Sequence, residues 1–133
     1  MTRINVVPVA ELCDQHLLAE HRELTRIPNC ILSGKLKLHY DDRPSRYTLG
    51  EGHVKFFTNK LQWLWMRYTN LTNECRLRGF NVSNIWPTNG HIGGDEQVIY
   101  RPTDIDKALN RLRIKDRWPK NARYYGKPVE SPK

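Results

Sequence analysis

Residues 52–79 read GHVKFFTNKLQWLWMRYTNLTNECRLRG, and the period of this stretch decides the fold class. Phe57, Leu61, Leu64, Tyr68, Leu71 and Cys75 recur at steps of four, three, four, three and four. A helix turning about 100° per residue brings these positions onto one stripe, so the spacing predicts a long amphipathic helix from about Gly52 to Arg78 with a single buried seam. Gly79 is its natural stop, because glycine adopts a left-handed helix end without steric cost, and Arg76 and Arg78 oppose the negative end of the helix dipole. Phe56, Trp63 and Trp65 fall at core-like spacing on the same helix, and packing rather than base stacking is expected of them.

Toward the N-terminus, residues 10–27 carry a second helical pattern that Pro28 is expected to stop. Gln15, His16, Ala19, Arg22, Glu23 and Arg26 gather within roughly a third of that helix's circumference, while Leu17, Leu18, His21 and Leu24 take the opposite side. Residues 2–8 precede it as a short irregular arm. Toward the C-terminus, 104–113 predicts a short third helix, capped by Thr103 or Asp104, with Ile105, Ala108, Leu109 and Leu112 on its buried side. The Gly- and Pro-containing stretches 29–51 and 81–101 read as loops, the second with a brief strand at 97–100. The expected architecture is all-α: one compact domain spanning residues 1–133, of about three helices with long irregular loops, in which 128–133 form a flexible tail. A chain of 133 residues fits one domain.

Twenty-two Lys and Arg against fourteen Asp and Glu give a net charge of +8, which points to a polyanionic partner unless the charge serves solubility alone. No stretch approaches the roughly 20 apolar residues of a membrane span, so nucleic acid is favoured over membrane. Cys13, Cys30 and Cys75 are odd in number and widely spaced, with no CxxC, so neither a zinc site nor a disulfide framework is expected. The N-terminus has no continuous apolar segment of a signal peptide, and a reduced, cytoplasmic setting is the expectation. His53 and His91 stand without sequence partners and read as surface or core residues.

Two features suggest chemistry. Glu23 sits between Arg22 and Arg26 with the small Ala19 on the same face, leaving room for an approaching ligand; the alternative is a solvated face of ordinary ion pairs, each worth a few tenths of a kcal/mol. The second feature is Thr2. Removal of the initiator Met, which the small Thr2 side chain permits, leaves an α-amine whose reference pKa of about 7.7–8.0 keeps an appreciable neutral fraction near pH 7, and nearby arginines would lower it further. Such an amine suits attack on the anomeric carbon of a deoxyribose, because loss of the base leaves an imine that serves as an electron sink for strand scission.

The opening MTRINVVPVAELCDQHLLAEHREL (residues 1–24), together with GHVKFFTNKLQWL, ECRLRGFN and ARYYGK further on, resembles the phage-type pyrimidine-dimer DNA glycosylase/AP lyase family, historically called endonuclease V. The resemblance is anchored from Thr2 to Lys127, and the loops 29–50 and 82–120 contribute little to it. It implies that Thr2 supplies the attacking amine and Glu23 the essential carboxylate, and that Arg3, Gln15, His16, Arg22 and Arg26 line the site and grip phosphates. By the same resemblance Tyr124, Tyr125 and Lys127 contact DNA, although a tail packed against the core is an equal alternative. The partner implied is damaged double-stranded DNA with a base flipped out of the duplex, bound by a nucleoid-associated monomer that needs no metal and no cofactor. His21 stands where the family has Tyr, and Thr25 where it often has Pro, so the first helix is expected to run straighter toward Pro28. Two rivals share the composition: the same amine chemistry on another lesion, and a basic DNA-binding domain without catalysis.

Overall fold

The computed structural model describes residues 2–87 and 97–132. Among them, five α-helices follow one another as α1 (Asp14–Leu24), α2 (Arg26–Leu32), α3 (His53–Phe57), α4 (Leu61–Leu77) and α5 (Asp104–Asp116). A 3-10 turn at Val9–Glu11 precedes α1, and a two-residue antiparallel hairpin, β1 (Arg123–Tyr124) with β2 (Lys127–Pro128), follows α5. The fold is therefore all-α apart from that hairpin. His91 and the glycines at 90, 93 and 94 lie outside the described residues.

The deciding stretch keeps its seam and loses its continuity. Phe57, Leu61, Leu64, Tyr68, Leu71 and Cys75 are all buried, but residues 58–60 divide α3 from α4. Here the Thr58 hydroxyl donates to the Lys55 carbonyl at 2.7 Å and Lys60 turns its ammonium back onto the Phe56 carbonyl at 2.8 Å, so side chains take over acceptors that a helix would use. Gln97 seals the break: its side-chain oxygen accepts the Leu61 N–H at 3.1 Å and its amide donates to the Thr58 carbonyl at 3.2 Å. Gln97 is a cap for α4, and 97–100 is not a strand. At the far end Gly79 has φ 88°. Phe80 N–H reaches the Cys75 carbonyl and Gly79 N–H the Arg76 carbonyl, the paired bonds by which a glycine closes a helix.

Pro28 acts four residues upstream of where it was expected to act. It lies inside α2, where the missing N–H costs nothing to the first turn, but it leaves the Leu24 carbonyl without its donor and crowds it. The helix breaks at Thr25 and resumes at once, ending at Leu32. The straighter path expected at Thr25 is thus not found.

Helix α5 is capped by Thr103 in a reciprocal box with Asp106, and it presents a different face from the one its apolar residues predict. Ile105 and Leu112 are 75% and 67% exposed, Ala108 is exposed and Leu109 only half-buried. Asn110 and Ile114 point inward instead. The Asn110 side-chain oxygen accepts the N–H groups of Val6 and Val7 at 2.7 and 3.2 Å, and its amide donates to Asn5 at 2.8 Å. Leaving two buried backbone donors unpaired would cost about 1–3 kcal/mol each, comparable to what burying Ile105 and Leu112 would contribute.

The N-terminal arm is part of the core: Ile4, Val6, Val7 and Leu12 pack with Leu17 and Leu24 of α1, the α4 seam, Tyr47 and the Phe56–Phe57 pair. Trp63 stacks on Phe57 with centroids 5.5 Å apart, as packing predicts, whereas Trp65 is 46% exposed because it flanks the seam. Cys13 and Cys75 are buried free thiols and Cys30 is a half-buried one, with burial pushing the Cys75 thiol up to about 11. No helix among the described residues is long and apolar enough to cross a membrane.

Candidate active site

Between the arm, α1 and α5 lies a cleft lined by Arg3, Asn5, His16, Ala19, Glu20, Glu23, Arg113, Ile114 and Arg117. Four of these, His16, Ala19, Glu20 and Glu23, come from about two turns of α1, because their 3, 1, 3 spacing keeps them on one helical face. On α5 Asn110, Arg113, Ile114 and Arg117 share the equivalent spacing, so the inward turn of Asn110 also delivers two arginines to the cleft.

Glu23 closes one end. Its side chain is 14% exposed; one oxygen accepts the backbone N–H of Arg3 at 3.1 Å, and the other lies 3.9 Å from the guanidinium of Arg22, which is 69% exposed. The Thr2 nitrogen is one residue further back. Successive backbone nitrogens are at most about 3.7 Å apart, so the Thr2 nitrogen lies within roughly 7 Å of the Glu23 carboxylate.

Glu20, one turn earlier, is a different kind of acid. Arg67 grips it through two bonds of 2.7 and 3.0 Å, Asn5 donates to it at 2.9 Å, and both members of the ion pair are buried. Its charge is used up in the fold. Among the described residues that line the cleft, Glu23 is the one carboxylate not so neutralised, sharing the cleft with Arg3, Arg113 and Arg117 and approached from outside by Arg22.

His16 donates from Nε2 to the Arg117 carbonyl at 3.1 Å, which leaves Nδ1 as an acceptor. That Nδ1 and Nη1 of Arg113 are buried and have no hydrogen-bond partner among the described residues. Burial lowers the His16 pKa from its ordinary value, with the charges of Arg3 and Arg113 acting in the same direction, so the imidazole is neutral. Burial likewise lowers the pKa of Arg113.

The remaining expected residues are placed elsewhere. Arg26 opens α2 and is exposed. Gln15 does not line the cleft: its amide donates to the Asn121 carbonyl at 2.8 Å and its oxygen accepts the Arg123 N–H at 3.0 Å, tying the C-terminal segment to α1. Tyr124 and Tyr125 are 38% and 46% exposed. Their hydroxyls are fixed on the Ala10 carbonyl and on Glu74, at 2.7 and 2.9 Å, and both rings lie against the Arg78 guanidinium. Lys127 pairs with Tyr124 across the hairpin. The hairpin sits at the Asp14 end of α1, about 13.5 Å along the axis from Glu23 by helical rise. Nothing local in the sequence marks Asn5 as a lining residue or separates Arg113 and Arg117 from the chain's other cations; the signal that would have found the two arginines is the Asn110–Arg113–Ile114–Arg117 spacing.

A deep carboxylate ringed by arginines on a strongly basic all-α chain defines a protein that handles a polyanion. The family model described as pyrimidine dimer DNA glycosylase matches residues 1–88, which contain the arm, all of α1 and the whole of α4. The chain belongs to this pyrimidine dimer DNA glycosylase family, and DNA is the polyanion. Among the described residues, no group of three or more His, Cys, Asp or Glu is arranged to hold a metal ion.

Proposed function

We infer that this protein removes the damaged pyrimidine by attack of the Thr2 α-amine on the sugar and then nicks the strand, with Glu23 as its catalytic carboxylate. The observation that carries this reading is the Arg3 N–H to Glu23 contact at 3.1 Å, which keeps the first residues of the mature chain beside the acid. Removal of Met1 frees the amine.

In the first step the neutral amine forms a bond to C1′, and the glycosidic bond breaks with its electrons leaving on the pyrimidine, which takes up a proton. Opening of the C1′–O4′ bond, assisted by proton transfer to O4′, gives a protonated imine. Glu23 as carboxylate takes the C2′ proton, the electrons run into the imine, and the 3′ phosphate departs. Water then hydrolyses the imine and returns the amine. Arg22 and Arg26 hold the flanking phosphates, Arg3 and His16 line the reacting sugar, and Gln15 with Tyr124, Tyr125 and Lys127 supports the duplex further along α1. One chain supplies every group, so a single-domain monomer suffices, without metal or cofactor.

The test is reductive trapping. The protein is incubated with a duplex carrying one cyclobutane pyrimidine dimer in the presence of borohydride, and the adduct is mapped by mass spectrometry. A covalent adduct on the nitrogen of Thr2 is expected, with Met1 absent from the intact mass. No adduct, or one mapped to a lysine, overturns the assignment; adduct formation only with other lesions moves the substrate.

A further inference from the structure

The arm that carries Thr2 lies extended in the core without any sheet to hold it. Among the described residues no backbone group from Arg3 to Val7 bonds to another backbone group. Buried backbone donors and acceptors need partners, and here every partner is a side chain. Glu23 takes Arg3 N–H, Asn110 takes Val6 and Val7 N–H, and Arg67 donates to the Val7 carbonyl.

The central residue of the arm is gripped on both sides. His53 Nε2 accepts the Ile4 N–H at 2.9 Å, and the Tyr47 hydroxyl donates to the Ile4 carbonyl at 3.0 Å. The tautomer of His53 is fixed from behind, since its Nδ1 donates to the Thr48 carbonyl at 2.8 Å. The two rings meet edge to face at 5.6 Å. Tyr47 lies in the segment leading into α3 and His53 opens that helix, and the turn between them is constrained at Gly52: φ there is +87°, and a Cβ would fall 2.8 Å from Pro44 Cγ. Packing of the Ile4 side chain needs neither bond. A donor and an acceptor aimed at the two peptide groups flanking one residue control the rotation and height of the backbone, which burial of an aliphatic side chain does not.

We propose that His53 and Tyr47 are positioning residues for the nucleophile, clamping the peptides on either side of Ile4 so that the Thr2 nitrogen is held over Glu23 in one orientation. This rests on the amine reading above. Neither residue touches the substrate; both act through two residues of backbone. A nucleophile on the free end of a chain otherwise has the widest conformational freedom in the molecule, and restricting it raises the rate of attack rather than the affinity for DNA.

The experiment measures single-turnover imine formation with a dimer-containing duplex, and duplex affinity separately in a Glu23→Gln background. His53→Leu is expected to slow imine formation at least tenfold while duplex affinity changes less than twofold. His53→Gln, whose side-chain oxygen can accept the Ile4 N–H, is expected to recover the rate to within about threefold of wild type. Tyr47→Phe, which loses only a hydroxyl, is expected to fall between. Wild-type rates in a folded His53→Leu protein, equal losses of rate and affinity, or no recovery by Gln would overturn the clamp. Should His53→Leu not fold, a wild-type rate for Tyr47→Phe overturns it. If wild-type protein itself traps no adduct, the amine reading falls and takes the clamp with it, whereas normal trapping with unaffected variants removes the clamp alone.

Discussion

The two ends of α1 each carry a carboxylate, and the fold treats them in opposite ways. At the first turn Asp14 is saturated: Arg78 donates to it at 2.9 Å, and the N–H groups of Tyr125 and Gly126 reach it at 3.1 and 2.8 Å. Its position also suits the positive end of the helix dipole. At the last turn Glu23 stands at the unfavourable end of that dipole, holding one backbone N–H and a loose contact with Arg22. An acid saturated by the fold fixes structure, and Asp14 locks the hairpin onto the helix. Glu23, half-buried beside arginines and with acceptor capacity to spare, is the acid left available for the proposed reaction.

The largest separation of the two ends is expected from matched amide substitutions. Glu23→Gln should reduce strand cleavage by about 10³-fold or more and leave thermal stability within about 0.5 kcal/mol of wild type, with damaged-duplex binding retained. Cleavage assays beside melting curves read both, and equal activity of this variant and wild type removes Glu23 from the mechanism. Acid titration should act on the cleft end next. Burial depresses His53 from its ordinary 6.5 to about 4, so between those values the unfolded chain binds more protons than the folded one. The stability that neutral His53 contributes is therefore whole above pH 6.5, falls by up to about 3 kcal/mol as the pH drops, and is gone below about 4. Urea midpoints at pH 7 and 4.5 measure the slope, which His53→Gln should flatten.

At the hairpin end Asp14→Asn is expected to lower stability by about 2 kcal/mol, because it weakens a charge-assisted bond to a fully buried guanidinium, with turnover per folded molecule unchanged. A turnover loss as large as that of Glu23→Gln would abolish the distinction between the ends. Arg26→Gln should weaken duplex binding and cleavage together by roughly tenfold, the effect of one lost phosphate contact. The smallest effect is expected from Tyr125→Phe. It keeps the ring and loses only the bond to Glu74, about 1 kcal/mol of stability by chemical denaturation, with cleavage unaltered.

Much of this was legible in the residues. The seam from Phe57 to Cys75, the closing glycine at 79, the Thr103 cap and the shared face of His16, Ala19 and Glu23 all follow from spacing, and the block at residues 1–24 carried the family. The cleft's second wall was not legible. On α5 two stripes have the same helical spacing, Ile105–Ala108–Leu109–Leu112 and Asn110–Arg113–Ile114–Arg117, and hydrophobicity favours the first.

Periodicity and composition determined that the chain forms amphipathic helices, carries a strong positive charge and offers a carboxylate among arginines near its first residue. Those properties belong to single elements and to the covalent order of the chain. Only the tertiary structure decided that α5 turns Asn110 inward, that Gln97 caps a helix 36 residues upstream in sequence, that Pro28 breaks the chain at Thr25 without ending it, and that His53 and Tyr47 grip the arm. The reason in most of these cases is the same. Buried backbone groups of irregular segments must find partners, and which side chain supplies them depends on what the fold brings within about 3 Å, a quantity that no local pattern contains.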